Sequence, residues 1–422
     1  MTVCVVGSGG REHALARLLA RSSDVVVTPG NPGMPAEVGG HRISVSPAPA
    51  EEIRARLTVI GPEAPLVDGL ADRLRAGGLK VVGPGADGAR LEGSKAFMKD
   101  ALEESGVATA RYGVFDDLAE ARRFLATLPG PFVVKTDGLA AGKGVLVAQT
   151  REEAEADVAA KLSGRAFGDA GRRVVIEEGL VGIECSIQAL CDGTRVVPLA
   201  AARDFKRIFD GDRGANTGGM GSYSPLPEVD DAMVERVMEE AVAPLVATLT
   251  RRGIDYRGVL YAGIMMTADG PFVLEYNVRF GDPEAQVVLP RLADDPVDVL
   301  MAVAEGRLTG PPRFSADAAV CVVAAAAGYP ESPVTGDVIC GLSPDGQLAE
   351  PVEGVTVLHA GTTRVVDTFR VDGGRVLGLT ALAPSLGAAR ARAYEAAARV
   401  SWPGRQLRGD IARSAEPSAV LR

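Results

Sequence analysis

The chain has few of the residues that usually announce metal or redox chemistry. Its 422 residues include five cysteines (Cys4, Cys185, Cys191, Cys321, Cys340) and three histidines (His13, His41, His359). Four of the cysteines lie in apolar, strand-like runs without zinc-ligand spacing. They read as small apolar residues in a reducing cytosol rather than as a disulfide framework. The histidines are too dispersed for a His-rich metal site. No apolar stretch reaches the roughly 18 residues that a membrane span needs, and Met1–Val6 runs into a strand without a basic leader. A cytoplasmic location is therefore expected. Positive charge is not in excess either: 45 Lys plus Arg against 55 Asp plus Glu leave a net charge of −10. That balance offers no basic surface for nucleic acid or anionic lipid. An anionic substrate must then be held by a few locally placed cations.

Lysine is the scarce cation. Only seven of the 45 are lysine, and five of these (Lys95, Lys99, Lys135, Lys143, Lys206) fall in the motif-like segments below. A compact ammonium suits point contact with a phosphate, and chance clustering is the competing explanation.

What the chain does have is a hydrophobic content of 46% with 24% charge, an ordinary globular balance. Its length suggests about three domains. Residues 1–100 alternate strands (Val3–Gly7, Val25–Thr28, Leu57–Gly61, Leu79–Gly83) with helical patterns such as Glu12–Ala20 and Gly69–Ala76. This rhythm predicts a Rossmann-like parallel sheet. Residues 101–310, entered by a helix through Ser94–Ser105, carry strands Phe132–Asp137, Gly144–Ala148, Val174–Glu178 and Glu184–Leu190. A helix over Asp231–Arg252 then leads to a hairpin with arms Gly258–Thr267 and Pro271–Asn277. A lid is expected over about 120–190. Residues 311–422 follow the Pro/Gly-rich Gly310–Ser315 as a mixed α/β unit. It has strands near Ala318–Ala325, Val355–His359, Val365–Val371 and Arg375–Ala381, a hairpin turn at Asp372-Gly373-Gly374, and a last helix capped by Ser385. This unit shows no chemistry of its own.

Val5-Val-Gly-Ser-Gly-Gly-Arg-Glu-His-Ala14 feeds glycines into a helix start. The dinucleotide fingerprint wants Gly or Ala where Glu12 stands, and no acid ends the second strand, so NAD is disfavoured. Two readings stand: a phosphate site at Gly9, Gly10 and Arg11, or a tight turn without a ligand. Gly138-Leu-Ala-Ala-Gly-Lys-Gly144 is one residue short of a P-loop and leads into a strand rather than a helix. A hairpin lid fits instead, laying the backbone of Gly142 and Gly144 with Lys143 over a polyphosphate, and Lys135 beneath it. Val174-Val-Ile-Glu-Glu-Gly-Leu180 ends a strand that either presents backbone to an adenine, with Glu184 on the ribose, or is merely solvated. In Phe272-Val-Leu-Glu-Tyr-Asn277, alternation predicts Phe272, Leu274 and Tyr276 on the core face and Glu275 beside Asn277 on the other. Two adjacent hard oxygens suit Mg²⁺ whose other ligands are phosphates and water. Arg279 follows, within reach of a γ-phosphate or carboxylate. Asp204, Lys206 and Arg207 stand on a Gly-dense polar segment expected as a loop that closes on a ligand, with a surface loop as the alternative.

Together these motifs resemble the phosphoribosylamine–glycine ligase family of the ATP-grasp superfamily. The resemblance runs in order through Gly7–Ala14, Gly61–Val67, Leu91–Phe97, Asp137–Gly144, Asn216–Gly221, Arg279–Glu284, Gly336–Ile339 and His359–Thr362. It implies an ATP-grasp fold between a Rossmann-like N-terminal domain and a mixed C-terminal domain, and an enzyme of purine biosynthesis. Glycine, 5-phosphoribosylamine and ATP would give glycinamide ribonucleotide, ADP and phosphate through glycyl phosphate, with Mg²⁺ or Mn²⁺. By the same resemblance Lys95, Lys135, Lys143, Glu177, Leu180 and Glu184 hold ATP, and Glu275 and Asn277 hold the metal. Gly9, Gly10, Arg11 and Glu63 face phosphoribosylamine, with Asn216, Gly218 and Asp282 also at the substrates. Lys206, Arg207 and Arg279 lie near the phosphates and carboxylate, and Asp204 is taken as acceptor for a substrate amino group. The chain departs from the family pattern at Arg203, Phe205, Ala215 and Ala285. The rival readings are another ATP-grasp carboxylate–amine ligase and a non-catalytic nucleotide-binding module. A monomer or small homo-oligomer is expected.

Overall fold

Valine-rich runs of the first hundred residues build a six-stranded sheet in a computed structural model describing residues 2–140, 144–164 and 172–413. Its order is Glu37–Val38, His41–Val45, Asp24–Pro29, Thr2–Gly7, Leu57–Ile60, Val81–Val82. All pairs are parallel except the short Glu37–Val38 edge. Val3, Cys4, Val5, Leu57 and Val59 are fully buried, as expected of a parallel strand covered on both faces.

Two antiparallel four-stranded sheets follow. The first has the order Tyr112–Phe115, Val174–Glu178, Phe132–Thr136, Val145–Ala148. Helices Leu118–Leu125 and Arg151–Leu162 pack on it through Leu125, Val134, Val158 and Ile176. The second has the order Val196–Pro198, Ile183–Asp192, Arg257–Thr267, Gly270–Asn277. The expected single helix over Asp231–Arg252 is interrupted by a π-turn, Met238–Val242, before Ala243–Arg251. Pro244 sits at the start of that last segment and has no N–H to continue the ladder.

A fourth, five-stranded sheet changes the expected organisation. Arg203–Asp204 and Gly221–Ser224, the two ends of the expected polar loop, pair into one antiparallel sheet with Ala318–Ala325, Arg375–Ala383 and Val355–His359. The segment is therefore largely strand, with its own two-stranded ribbon Arg207–Phe209 and Arg213–Asn216. Two further expectations are corrected. Val365–Val371 divides into Thr362–Val365 and Thr368–Val371, turned at Val366, whose φ is +56°. Asp372–Gly374 is no hairpin turn, because the strands either side of it pair in different sheets. Helix Leu386–Arg399 covers the sheet, and Ser385 caps it by accepting from the Ala388 amide.

Candidate active site

The strand carrying Glu275 holds a β-bulge. Gly263 pairs with Glu275 and Ile264 with Val273, so Leu274 is the extra residue. A one-residue insertion resets alternation. The core face is therefore Val273 and Tyr276, at 0% and 1% exposure, rather than Phe272, Leu274 and Tyr276. Glu275 and Asn277 both follow the bulge and do share a face, with Asn277 Nδ2 3.5 Å from Glu275 Oε1. The Leu274 carbonyl accepts a 2.9 Å hydrogen bond from Lys135 Nζ.

Lys135 also meets Glu177, whose side chain turns inward instead of leaving the strand end to its backbone. Glu177 Oε1 lies 2.7 Å from Lys135 Nζ, and Oε2 3.0 Å from Lys99 Nζ. Burial alone would raise this carboxyl, but the two ammonium groups hold it below its ordinary value. Lys99, fully buried, is pushed down to about 8 by desolvation, partly offset by Glu177. It donates to Thr109 Oγ1 at 2.7 Å and was not expected at the site. Lys95 Nζ reaches the Gly138 carbonyl at 3.4 Å, and burial lowers its pKa against the pull of Glu275. Gly142 and Lys143 lie outside the described residues. Gly144 fixes the far side of the glycine loop by accepting from the Thr136 amide at 2.9 Å. Leu180 is half-buried just beyond the strand.

A second charge cluster faces Glu275. Lys206 Nζ pairs with Glu184 Oε1 and lies 3.9 Å from Glu275 Oε1. Burial would lower the Lys206 pKa, but Glu184 and Asp204 raise it well above the usual value. Asp204 is shifted up, by desolvation first and then by Glu284, Glu184 and Glu275, with Lys206 opposing. Glu275 itself is held low: Lys206, Lys135 and Lys95 outweigh its burial. Glu184, expected on a ribose, is thus engaged by Lys206. Arg207 does not join the cluster, because its Nη1 donates to the Gly214 carbonyl of its own ribbon at 2.7 Å.

Arg279 is the hub of a third group. It lies 2.8 Å from Glu92 and 3.4 Å from Glu63, and donates to Asn277 Oδ1 at 3.1 Å. Glu92 also accepts from the Val278 amide at 2.8 Å and was missed, although it stands inside the Leu91–Phe97 motif. The expected phosphate cradle at Gly9 and Arg11 is filled from within. Glu12 Oε2 accepts from the Gly9 amide at 2.7 Å, and Oε1 accepts from Arg11 Nε at 2.6 Å. A Cβ at Gly61 would come within 2.1 Å of this carboxylate, so the glycines around the turn make room for Glu12. Gly10, the first residue of the helix, abuts Gln286. Arg11 Nη1 is turned onto the Phe280 carbonyl at 3.0 Å.

Matches to known proteins fit this geometry. The N domain, ATP-grasp (A) domain and C domain models of phosphoribosylglycinamide synthetase match residues 1–92, 93–285 and 319–414. The chain belongs to the phosphoribosylglycinamide synthetase family. The phosphoribosylamine–glycine ligase of Caulobacter vibrioides is 48% identical over 97% of both chains. That of Streptomyces coelicolor is 47% identical over 98% of this chain and 99% of its own. The crystal structure of the Thermotoga maritima phosphoribosylamine–glycine ligase superposes with a TM-score of 0.86 at 34% identity, covering 98% of this chain and all of that one. A biotin carboxylase domain from Hydrogenobacter thermophilus, 18% identical over 96% of this chain and 91% of its own with a TM-score of 0.69, shares the fold.

Within this ATP-grasp ligase the C-terminal unit supplies a site-side residue that no sequence motif marks. Arg375 lies 3.0 Å from Asp282 Oδ2 and donates to the carbonyls of Gly218 and Asp282. Asp282 also accepts from Gln286 Nε2 at 2.7 Å, and its carboxyl is held low by Arg375 and Arg11 against burial. The Gly218 amide donates to the Tyr329 hydroxyl at 3.0 Å, and Asn216 Nδ2 reaches the Val145 carbonyl at 3.4 Å. Asn216 thereby ties the ribbon to the strand that leaves the glycine loop.

Enzymes of this family use ATP with a divalent metal, and the donor set fits one. No group of three or more His, Cys, Asp or Glu side chains stands together as a metal cage among the described residues. The Glu275 carboxylate offers hard oxygens of the kind that suits a metal held mainly by phosphates and water. Asn277 turns Nδ2 to Glu275 and Oδ1 to Arg279, so its amide would have to flip to present its oxygen there. No helix among the described residues is long and apolar enough to cross a membrane.

Proposed function

We propose that this chain joins glycine to 5-phosphoribosylamine, converting ATP to ADP and phosphate and releasing glycinamide ribonucleotide. The observation that carries the reading is the convergence of Lys206, Lys95 and Lys135 on the face that bears Glu275 and Asn277. Such a site neutralises phosphoryl charge, and Glu275 with Asn277 would hold Mg²⁺ or Mn²⁺, which would supply Lewis-acid polarisation of the ATP phosphates. Both nucleophiles are substrates: the glycine carboxylate attacks the γ-phosphate, and the amine then displaces phosphate from glycyl phosphate. The protein's part is positioning and charge neutralisation.

In this reading Lys95, Lys135 and Lys143 face the ATP phosphates, and Glu184 turns from Lys206 to the ribose. Leu180 offers backbone to the adenine. Asp204 accepts from a substrate amino group, and Lys206 and Arg279 hold the carboxylate and phosphoryl oxygens. Glu63 and Asp282 line the phosphoribosylamine side. An assay of ADP release with glycine and freshly made phosphoribosylamine tests it, alongside other amino acids and amines. Turnover with a different acid or amine, and none with this pair, would replace the assignment.

A further inference from the structure

We propose that Arg408 is a positioning residue for this site, and that the C-terminal segment Leu407–Ile411 is a strap holding Lys206 in register. The inference rests on the ligase reading above and names a part of the chain that makes no contact with the reacting groups.

Arg408 grips the residues on both sides of Lys206. Its guanidinium carbon lies 4.8 Å from the centroid of the Phe205 ring, and Nη1 donates to the Arg207 carbonyl at 3.2 Å. The same nitrogen donates to Asp212 Oδ1 at 2.7 Å, at the tip of the ribbon. Nε and Nη2 form a fork onto Asp410, each at 2.7 Å. The side chain is only 1% exposed, so these bonds work with little solvent screening. A cation facing an aromatic ring away from water adds to the grip.

Two backbone bonds extend it. The Gly409 amide donates to Asp210 Oδ1 at 2.7 Å, and the Gly211 amide donates to Asp410 Oδ2 at 2.8 Å. At the other end of the ribbon, Thr217 bonds the Lys206 carbonyl through its amide and its hydroxyl, both at 2.8 Å. The strap is itself fixed to the last helix. Arg390 donates to the carbonyls of Gly409 and Ile411, and the Tyr394 hydroxyl donates to the Arg408 carbonyl. A chain of short bonds thus runs from helix Leu386–Arg399 through Arg408 to the backbone that carries the Lys206 ammonium to Glu184 and Glu275. An error of about 1 Å in such a group costs on the order of 10²-fold in rate.

The test compares Arg408→Met with Arg399→Met, which loses contacts to the Glu350 and Pro351 carbonyls within the C-terminal unit alone. Arg408→Met should lower kcat about 10- to 100-fold with KM for ATP changed less than about twofold, and should speed amide exchange over residues 205–217. Arg399→Met should leave kcat unchanged. Asp212→Asn removes one arm from a half-exposed position and decides the matter if Arg408→Met does not fold. It should cost about threefold to tenfold in kcat, by the loss of one charge-assisted bond. Folded Arg408→Met, or Asp212→Asn, with wild-type kcat and wild-type exchange overturns the proposal. If the unaltered enzyme does not ligate glycine to phosphoribosylamine, it is the ligase reading that fails. The strap is then judged on amide exchange alone, where unchanged exchange overturns it.

Discussion

Lys135 and Leu274 join the two four-stranded sheets: the ammonium on one donates to the bulged carbonyl on the other at 2.9 Å. The strand that offers Glu275 is thereby tied to the strand that enters the glycine loop. Lys135→Met should remove both this tie and one of the two cations on Glu177. A loss of about 10²–10³ in kcat/KM for ATP is expected, the range for one preorganised electrostatic group. Values of kcat and KM for ATP within twofold of the parent would refute the role.

Glu275→Gln keeps the shape of the side chain and removes its charge. Turnover should fall by about 10²–10³, with a higher metal concentration needed for half-maximal rate. A metal titration of rate, superimposable on that of the parent enzyme, would end the assignment.

Passage through glycyl phosphate is read from isotope transfer. Glycine carrying ¹⁸O in its carboxylate should deliver one labelled oxygen to the released phosphate for each turnover. Label found only in glycine and the product amide would contradict the acyl phosphate.

Phe205 and Asp204 are neighbours with opposite surroundings. The Phe205 ring lies 6.2 Å from Tyr223 and under the guanidinium groups of Arg203 and Arg408, whereas Asp204 lies in the field of Lys206, Glu184 and Glu275. Phe205→His should change kcat/KM by less than about tenfold, or 1.4 kcal/mol. Asp204→Asn should cost more than about 10² above about pH 8, where the carboxyl with its raised pKa is ionised and a charge-assisted bond is lost, and less below it. The two kcat/KM values measured side by side decide it: the reverse ranking would remove Asp204 from its role.

His13 and His359 couple stability to pH. The rings stack at 6.0 Å, and His13 Nδ1 accepts from the His359 amide at 3.0 Å. Burial lowers both, His359 to about 4 and His13 well below 6.5, where Coulomb repulsion from His359 adds to its desolvation. Folding therefore favours neutral rings, and the unfolded chain takes up protons first as pH falls. Their stabilisation is complete above about pH 6.5 and is lost as pH falls, the His359 share of about 3 kcal/mol being gone by about pH 4. Urea unfolding across this range should show the decline, and His359→Gln should flatten it. An identical slope in the variant would exclude His359 as its source.

Much of this was legible because local patterns carried it. Three of the scarce lysines singled out by their motifs, Lys95, Lys135 and Lys206, stand around Glu275, and the Glu275–Asn277 pair survives because both residues follow the bulge. The bulge itself was not legible: Leu274 has no glycine or proline beside it to mark an insertion. Nor was the inward turn of Glu177, which depends on Lys99 and Lys135 arriving from two other elements. Glu12 was recognised as breaking the dinucleotide pattern, but not as the anion that fills the turn. Arg375 was out of reach for a simpler reason, since its partners Gly218 and Asp282 lie far away in sequence and only the fold brings them together.

The sheet that joins Arg203–Asp204 and Gly221–Ser224 to Ala318–Ala325 and Arg375–Ala383 also sets an order of assembly. On the ribosome, Asp204 and Lys206 emerge well before the strand that pairs with Gly221–Ser224, and earlier still relative to Arg375. Until those later residues are made, the edge of Gly221–Ser224 is an open template for another chain. Pairing with Ala318–Ala325, made later along the chain, is therefore what closes that edge beside the strand that carries Asp204.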